Sequence, residues 1–124
     1  MEKSRAERRK HQRFKVKEVV FVLMRTNHQN AVAQLIDISE SGLGCHFISR
    51  NHKSIDYPEL EIVLAEDSYH LVKISSRTIT DLETDEKLPF NLKKRRYGLE
   101  FIRLNTDQRF KLQYFIKTHI REAA

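Results

Sequence analysis

Two short clusters in the sequence combine residue types that recognise a charged ligand. The first is Arg8-Arg9-Lys10-His11-Gln12-Arg13, in which Arg9 and Arg13 stand four residues apart with Arg8 directly before them. The second is Asp37-Ile38-Ser39-Glu40-Ser41-Gly42. An arginine guanidinium makes paired hydrogen bonds to phosphate oxygens and to the O6 and N7 acceptors of guanine. A carboxylate such as Asp37 accepts from the N1–H and exocyclic amine of the same base. The Ser39 hydroxyl and the backbone N–H groups at the Gly42 turn complete a polar shell, because glycine tolerates positive φ or a close approach. A guanine nucleotide with more than one phosphate satisfies all of these groups together.

The elements that must hold these residues are short. From residue 18 to about 103, runs rich in Val, Ile, Leu, Phe and Thr alternate with polar clusters, at 18–25, 31–39, 42–48, 59–64, 70–80 and 95–104. Six strands with short connections predict an antiparallel barrel or sandwich. Asp37 and Ser39, two apart on a strand, share a face. Alternation sets Val32, Ile36 and Ile38 on the opposite face, so Asp37 is expected to point away from the core. The end of the chain changes period. Asn105-Thr106-Asp107-Gln108 has the form of a capping box. Beyond it Leu112, Phe115, Ile116, His119 and Ile120 recur at helical spacing, with Phe110 and Tyr114 alongside. A helix over 105–122 packed on the barrel is expected.

Composition bounds the class. The 124 residues are 40% hydrophobic and 32% charged, as in an ordinary globular domain. One domain spanning 1–124 is expected, with a basic arm over 1–15, a barrel over 16–104 and the helix. The longest apolar run, Val19-Val20-Phe21-Val22-Leu23-Met24, is far short of the roughly 20 residues of a membrane span. The charges at the start have no apolar segment behind them, so no secretory signal is expected, and the setting is read as cytoplasmic. The net charge is +6, and it is uneven. Residues 1–15 hold Lys3, Arg5, Arg8, Arg9, Lys10, Arg13 and Lys15 against Glu2 and Glu7 alone. A cationic arm on a balanced body suits a localised anionic ligand: nucleic acid, an anionic membrane surface or a small phosphate compound. A second run, Lys93-Lys94-Arg95-Arg96, is read as structural, guarding a strand against edge pairing, with contact to a ligand or partner as the alternative.

Arg9-x-x-x-Arg13 followed by Asp37-x-Ser39-x-x-Gly42 resembles the paired signature of the PilZ domain, a bacterial receptor family for cyclic di-GMP. Arg96-Tyr97-Gly98-Leu99-Glu100-Phe101-Ile102-Arg103-Leu104 is similar to that family's last strand, which leads into its C-terminal helix. The resemblance implies a mainly all-β fold, a six-stranded antiparallel β-barrel with a C-terminal α-helix and a flexible basic N-terminal arm. It implies that Arg9 and Arg13 grip the guanine faces and phosphates, that Asp37 and Ser39 bind from the barrel surface, and that Gly42 lets the backbone approach. Arg8 then favours two stacked ligands per protomer. Lys10, Gly44 and Arg77 are added as further candidates. The implied partner is a protein effector in trans, with outputs such as motility, exopolysaccharide synthesis, biofilm formation and virulence.

Other readings stay open on the residues alone. Asp37 and Ser39 can simply close a local turn. A nucleotide-independent adaptor, or a barrel binding single-stranded nucleic acid, would use the same arm. Phe14 is the only aromatic near that arm and Trp is absent, which argues against base stacking. Nucleic acid is therefore not the expected partner. No catalytic set, metal site or cofactor is expected. Ser39 and Ser41 lack a nucleophile elbow, and the six histidines lack ligand spacing. Cys45, alternating with Leu43 and Phe47, reads as core.

Overall fold

The computed structural model describes residues 14–16, 19–26, 30–50, 55–56, 58–64 and 70–123. The chain forms β1 (Phe14–Val16), β2 (Val20–Arg25), β3 (Asn30–Ile38), β4 (Gly42–Ser49), β5 (Glu59–Leu64), β6 (His70–Glu83) and β7 (Lys93–Phe101). A helix, α1 (Thr106–His119), and a last strand, β8 (Ile120–Ala123), follow. All strand pairs are antiparallel, in the order β2-β5-β6-β7-β4-β3, and β3 pairs back onto β2. That pairing closes a six-stranded barrel and removes its edges.

Alternation builds the interior. Val20, Val22 and Met24 of β2, Leu43, Cys45 and Phe47 of β4, and Tyr97, Leu99 and Phe101 of β7 are buried, as are Leu60, Ile62 and Ile74. Phe47 and Tyr97 meet edge to face, with ring centroids 5.0 Å apart. In β3 the expected face is reversed: Ala33 and Leu35 are buried and Val32 is 62% exposed. The ladder with β4 then shifts register between Leu35 and Asp37, leaving Ile36 as the extra residue of a bulge. Past the bulge Ile38 faces the core opposite Leu43, and Asp37 lies on the outer face opposite Gly44. The outward placement of Asp37 thus arises from the bulge and not from unbroken alternation.

The helix begins at a reciprocal cap. Gln108 N donates to Asn105 Oδ1 at 2.7 Å, and Asn105 N donates to Gln108 Oε1 at 3.0 Å. Leu112 and Phe115 are fully buried against the barrel, whereas Phe110 and Tyr114 face solvent. Asn105→Ala should lower stability by about 1 kcal/mol, read from a denaturant midpoint, because an orphan helix N–H loses its acceptor. The helix ends at His119 rather than at 122. Residues Ile120–Ala123 instead pair with β1, which spends their hydrogen bonds on a ladder. The barrel's last strand ends at Phe101, and Phe14 and Lys15 belong to β1 rather than to an arm.

Candidate functional site

Between β3 and β4 the Asp37–Gly42 segment makes a tight connection with its own bonds. Ser39 N donates to Gly42 O at 2.8 Å, and the Ser39 hydroxyl donates to the same oxygen at 3.3 Å. Ser41 N donates to Ser39 Oγ at 3.2 Å. Ser39 is 1% exposed, so its hydroxyl shapes the turn, as Ser side chains beside backbone N–H groups do. Gly42 does not have positive φ. Its role is close approach: a Cβ there would collide with the Leu99 carbonyl oxygen of β7. The turn is also tied outward, with Phe101 N donating to Ser41 O at 2.8 Å and Gln113 Nε2 of α1 donating to Glu40 Oε1 at 3.1 Å.

Asp37 sits beside this turn on the barrel's outer face, only 6% exposed. Its carboxylate lies across Gly44, where an added Cβ would stand 2.9 Å from Oδ1. Glycine at 44 therefore lets the carboxylate lie flat on the sheet. The same row continues through Gly98 of β7 to Thr80 of β6. The neighbouring row is Gln34, His46, Arg96 and Leu82. Arg96 Nη2 stands 3.7 Å from Asp37 Oδ2. Burial first, and then the positive charges of Lys94 and Arg96, hold the His46 pKa below its ordinary value, with Glu86 opposing.

The arm residues Arg8, Arg9, Lys10 and Arg13 lie outside the described residues. Their point of attachment is described. β1 starts at Phe14, the residue after Arg13, and pairs Phe14 with Ile38 and Lys15 with Asp37. It does so on the edge of β3 away from β4. Arg77 is not brought to Asp37. It lies three strands away, roughly 14 Å at ordinary strand spacing, and its Nη2 is 2.9 Å from Glu100 Oε1. Glu100 is opposite Gly42, so Arg77 borders the turn's row instead.

The run Lys93-Lys94-Arg95-Arg96 guards no edge, because β7 is paired on both sides. Its cations meet carboxylates: Lys94 with Glu86 at 2.9 Å, Arg95 with Asp81 at 2.8 Å and Glu83 at 3.6 Å, and Arg96 with Asp37. The ligand-contact alternative for this run did not single out Arg96. Tyr97, Leu99 and Phe101 point inward, which puts Gly98 outward in the row of Asp37 and Arg96 outward in the row beside it. Among the described residues no group of three or more His, Cys, Asp or Glu could hold a metal ion, and no helix is long and apolar enough to cross a membrane.

A family model described as the PilZ domain matches residues 7–118. No curated protein matches the sequence. Among solved structures, the PilZ domain with cyclic di-GMP of YcgR from Escherichia coli superposes with a TM-score of 0.72 at 15% identity. That match covers 90% of this chain and 91% of the other. The K. pneumonia MrkH–cyclic di-GMP complex gives 0.67 at 15% identity over 89% of this chain and 51% of the other. The Bacillus subtilis inhibitor of motility, MotI/DgrA, gives 0.66 at 17% identity over 89% and 50%. The chain therefore spans about half the length of these last two proteins, and at such identities the likeness is one of fold.

Proposed function

The chain belongs to the PilZ domain family, and from that premise we propose that it is a receptor for cyclic di-GMP that passes the signal to a partner protein in trans. The observation that carries this reading is the position of Asp37. Its carboxylate lies on the outer barrel face beside the turn of the second motif, and the strand that follows Arg13 runs along the same residue. A ligand resting on Asp37 is then within reach of the arm that carries the first motif. Asp37 accepts from guanine N1–H and the exocyclic amine, while Arg9 and Arg13 hold phosphate oxygens and guanine acceptors. Ser39 and Gly42 act mainly by fixing the turn. Arg8 extends the grip to a second, stacked molecule, and Lys10 adds positive charge.

The mechanism is electrostatic. Arg8, Arg9, Lys10 and Arg13 repel one another, and a dianionic ligand neutralises that cluster and fixes the arm against the barrel. The surface so formed is what a partner reads. No group in this reading performs catalysis. The ligand is an intracellular messenger, so the setting is the cytoplasm, and the Bacillus neighbour makes motility one output to test.

Isothermal titration of cyclic di-GMP into the full chain tests the proposal. Saturable binding is expected, with a stoichiometry near two. Arg13→Ala and Asp37→Ala should each weaken it by about ten- to a hundredfold, the worth of a hydrogen bond to a charged group. No binding by the unaltered chain would overturn the receptor reading, and a stoichiometry near one would remove the role given to Arg8.

A further inference from the structure

Three neighbouring cations of β7 are held differently. Lys94 and Arg95 each have a carboxylate oxygen within 2.9 Å, and the Arg95 side chain is only 16% exposed. Arg96 is 3.7 Å from Asp37 Oδ2, beyond hydrogen-bond distance, with its side chain 47% exposed. The contact is a loose ion pair, and a guanidinium carries five N–H donors, more than one carboxylate can take. Arg96 also approaches Asp37 from a defined side. β1 borders β3 on one edge, while β4 and then β7 lie on the other. Between Asp37 and Arg96 the sheet carries only Gly44 and Gly98 in the row of Asp37, so no outward Cβ stands between them there.

We infer that Arg96 is a further ligand-gripping residue, which holds one phosphate of cyclic di-GMP from the β7 side of Asp37. The ligand is a ring of two nucleotides whose phosphodiester charges lie on opposite sides of the ring. A molecule seated on Asp37 across the glycine row therefore turns one charge toward the β7 side. Asp37 exchanges its loose contact with Arg96 for guanine N–H donors, and Arg96 turns its donors to the phosphate, so neither charge is left uncompensated. The inference rests on the receptor reading and adds to it a basic residue outside both motifs.

Titration of cyclic di-GMP into the full chain and into Arg96→Ala, Arg96→Lys and Lys94→Ala tests it, with a melting curve for each variant. Arg96→Ala is expected to weaken binding about tenfold or more and to flatten its salt dependence. Arg96→Lys should recover part of the loss, since it restores charge without the planar fork. Lys94→Ala, whose partner is Glu86, should bind like the unaltered chain. In an Asp37→Asn background Arg96→Ala should cost the same factor again, because it touches the ligand directly. No further loss in that background would assign Arg96 to orienting Asp37 and overturn the inference. Unchanged or tighter binding by Arg96→Ala, when the unaltered chain binds, would also overturn it and leave the receptor reading intact. If Arg96→Ala fails to fold, Arg96→Gln, which keeps side-chain length without the charge, takes its place, and unchanged affinity and salt dependence there would overturn the inference in the same way.

Discussion

Gly42→Ala is expected to destabilise the fold by about 1–3 kcal/mol, with a melting temperature roughly 5–10 °C lower, and to weaken ligand binding at the same time. The added methyl meets the Leu99 carbonyl oxygen, a backbone atom in a strand paired on both sides, so it has no side-chain rotation by which to give way. Relief requires β4 and β7 to part at the register pair Gly42 and Glu100. The same shift pulls on the Ser39–Gly42 bonds and on Phe101 N–H, which donates to Ser41 O. Gly44→Ala makes the informative contrast. Its methyl meets the Asp37 carboxylate, the end of a rotatable side chain. Its melting temperature should stay near that of the unaltered chain while its affinity for cyclic di-GMP falls, because the carboxylate is lifted off the sheet. Calorimetric melts and titrations on both variants separate the two effects. A Gly42→Ala protein melting with the unaltered chain would show that the close approach of β7 does not constrain the turn.

The difference between these glycines shows which features were legible in the sequence. Strand alternation in β4 reported burial correctly, with Leu43, Cys45 and Phe47 in the core, because that strand keeps an unbroken period of two. In β3 the same rule failed, because Ile36 bulges out of the ladder and exchanges the faces on either side of itself. A bulge depends on the partner strand's register, which a single strand's pattern does not contain. The helix start was legible, since Asn105 and Gln108 carry the cap within four residues. Its end was not, because Ile120–Ala123 leave the helix only for a strand more than a hundred residues earlier in the chain. The reading of residues 93–96 failed for a related reason. Their carboxylate partners come from β3, β6 and the connection after β6, so their engagement is a tertiary fact. The motif at 37–42 gave the right turn chemistry, but Ser39 serves that turn itself and Asp37 is far less open than an outward residue suggests.

Alkaline pH should destabilise this protein through two buried acids on adjacent strands. Burial, reinforced by the negative charge of Asp37, pushes the Cys45 thiol up to about 12 from an ordinary value of 9.0. Burial, and then the charge of Asp81, pushes the Tyr97 hydroxyl up to about 12 from 10.0, with a hydrogen bond to the Asp81 carboxylate adding to the rise. Both groups are neutral when protonated, and the folded state holds those protons longer than the unfolded chain does. Their contribution is fully present below about pH 9 and is lost as pH rises toward the folded values near 12. Summed over both, the loss by pH 11 to 12 is on the order of several kcal/mol, comparable with the whole stability of a small domain. Denaturant midpoints measured from pH 7 to 11.5 should fall steeply above pH 9. Cys45→Ala should lower the midpoint at pH 7 by leaving a small cavity, yet flatten the fall between pH 9 and 10. Tyr97→Phe should flatten the fall above pH 10, while at pH 7 it removes one donor from Asp81, which Arg95 still contacts at 2.8 Å. Curves for both variants that run parallel to that of the unaltered chain would show that neither proton is linked to folding.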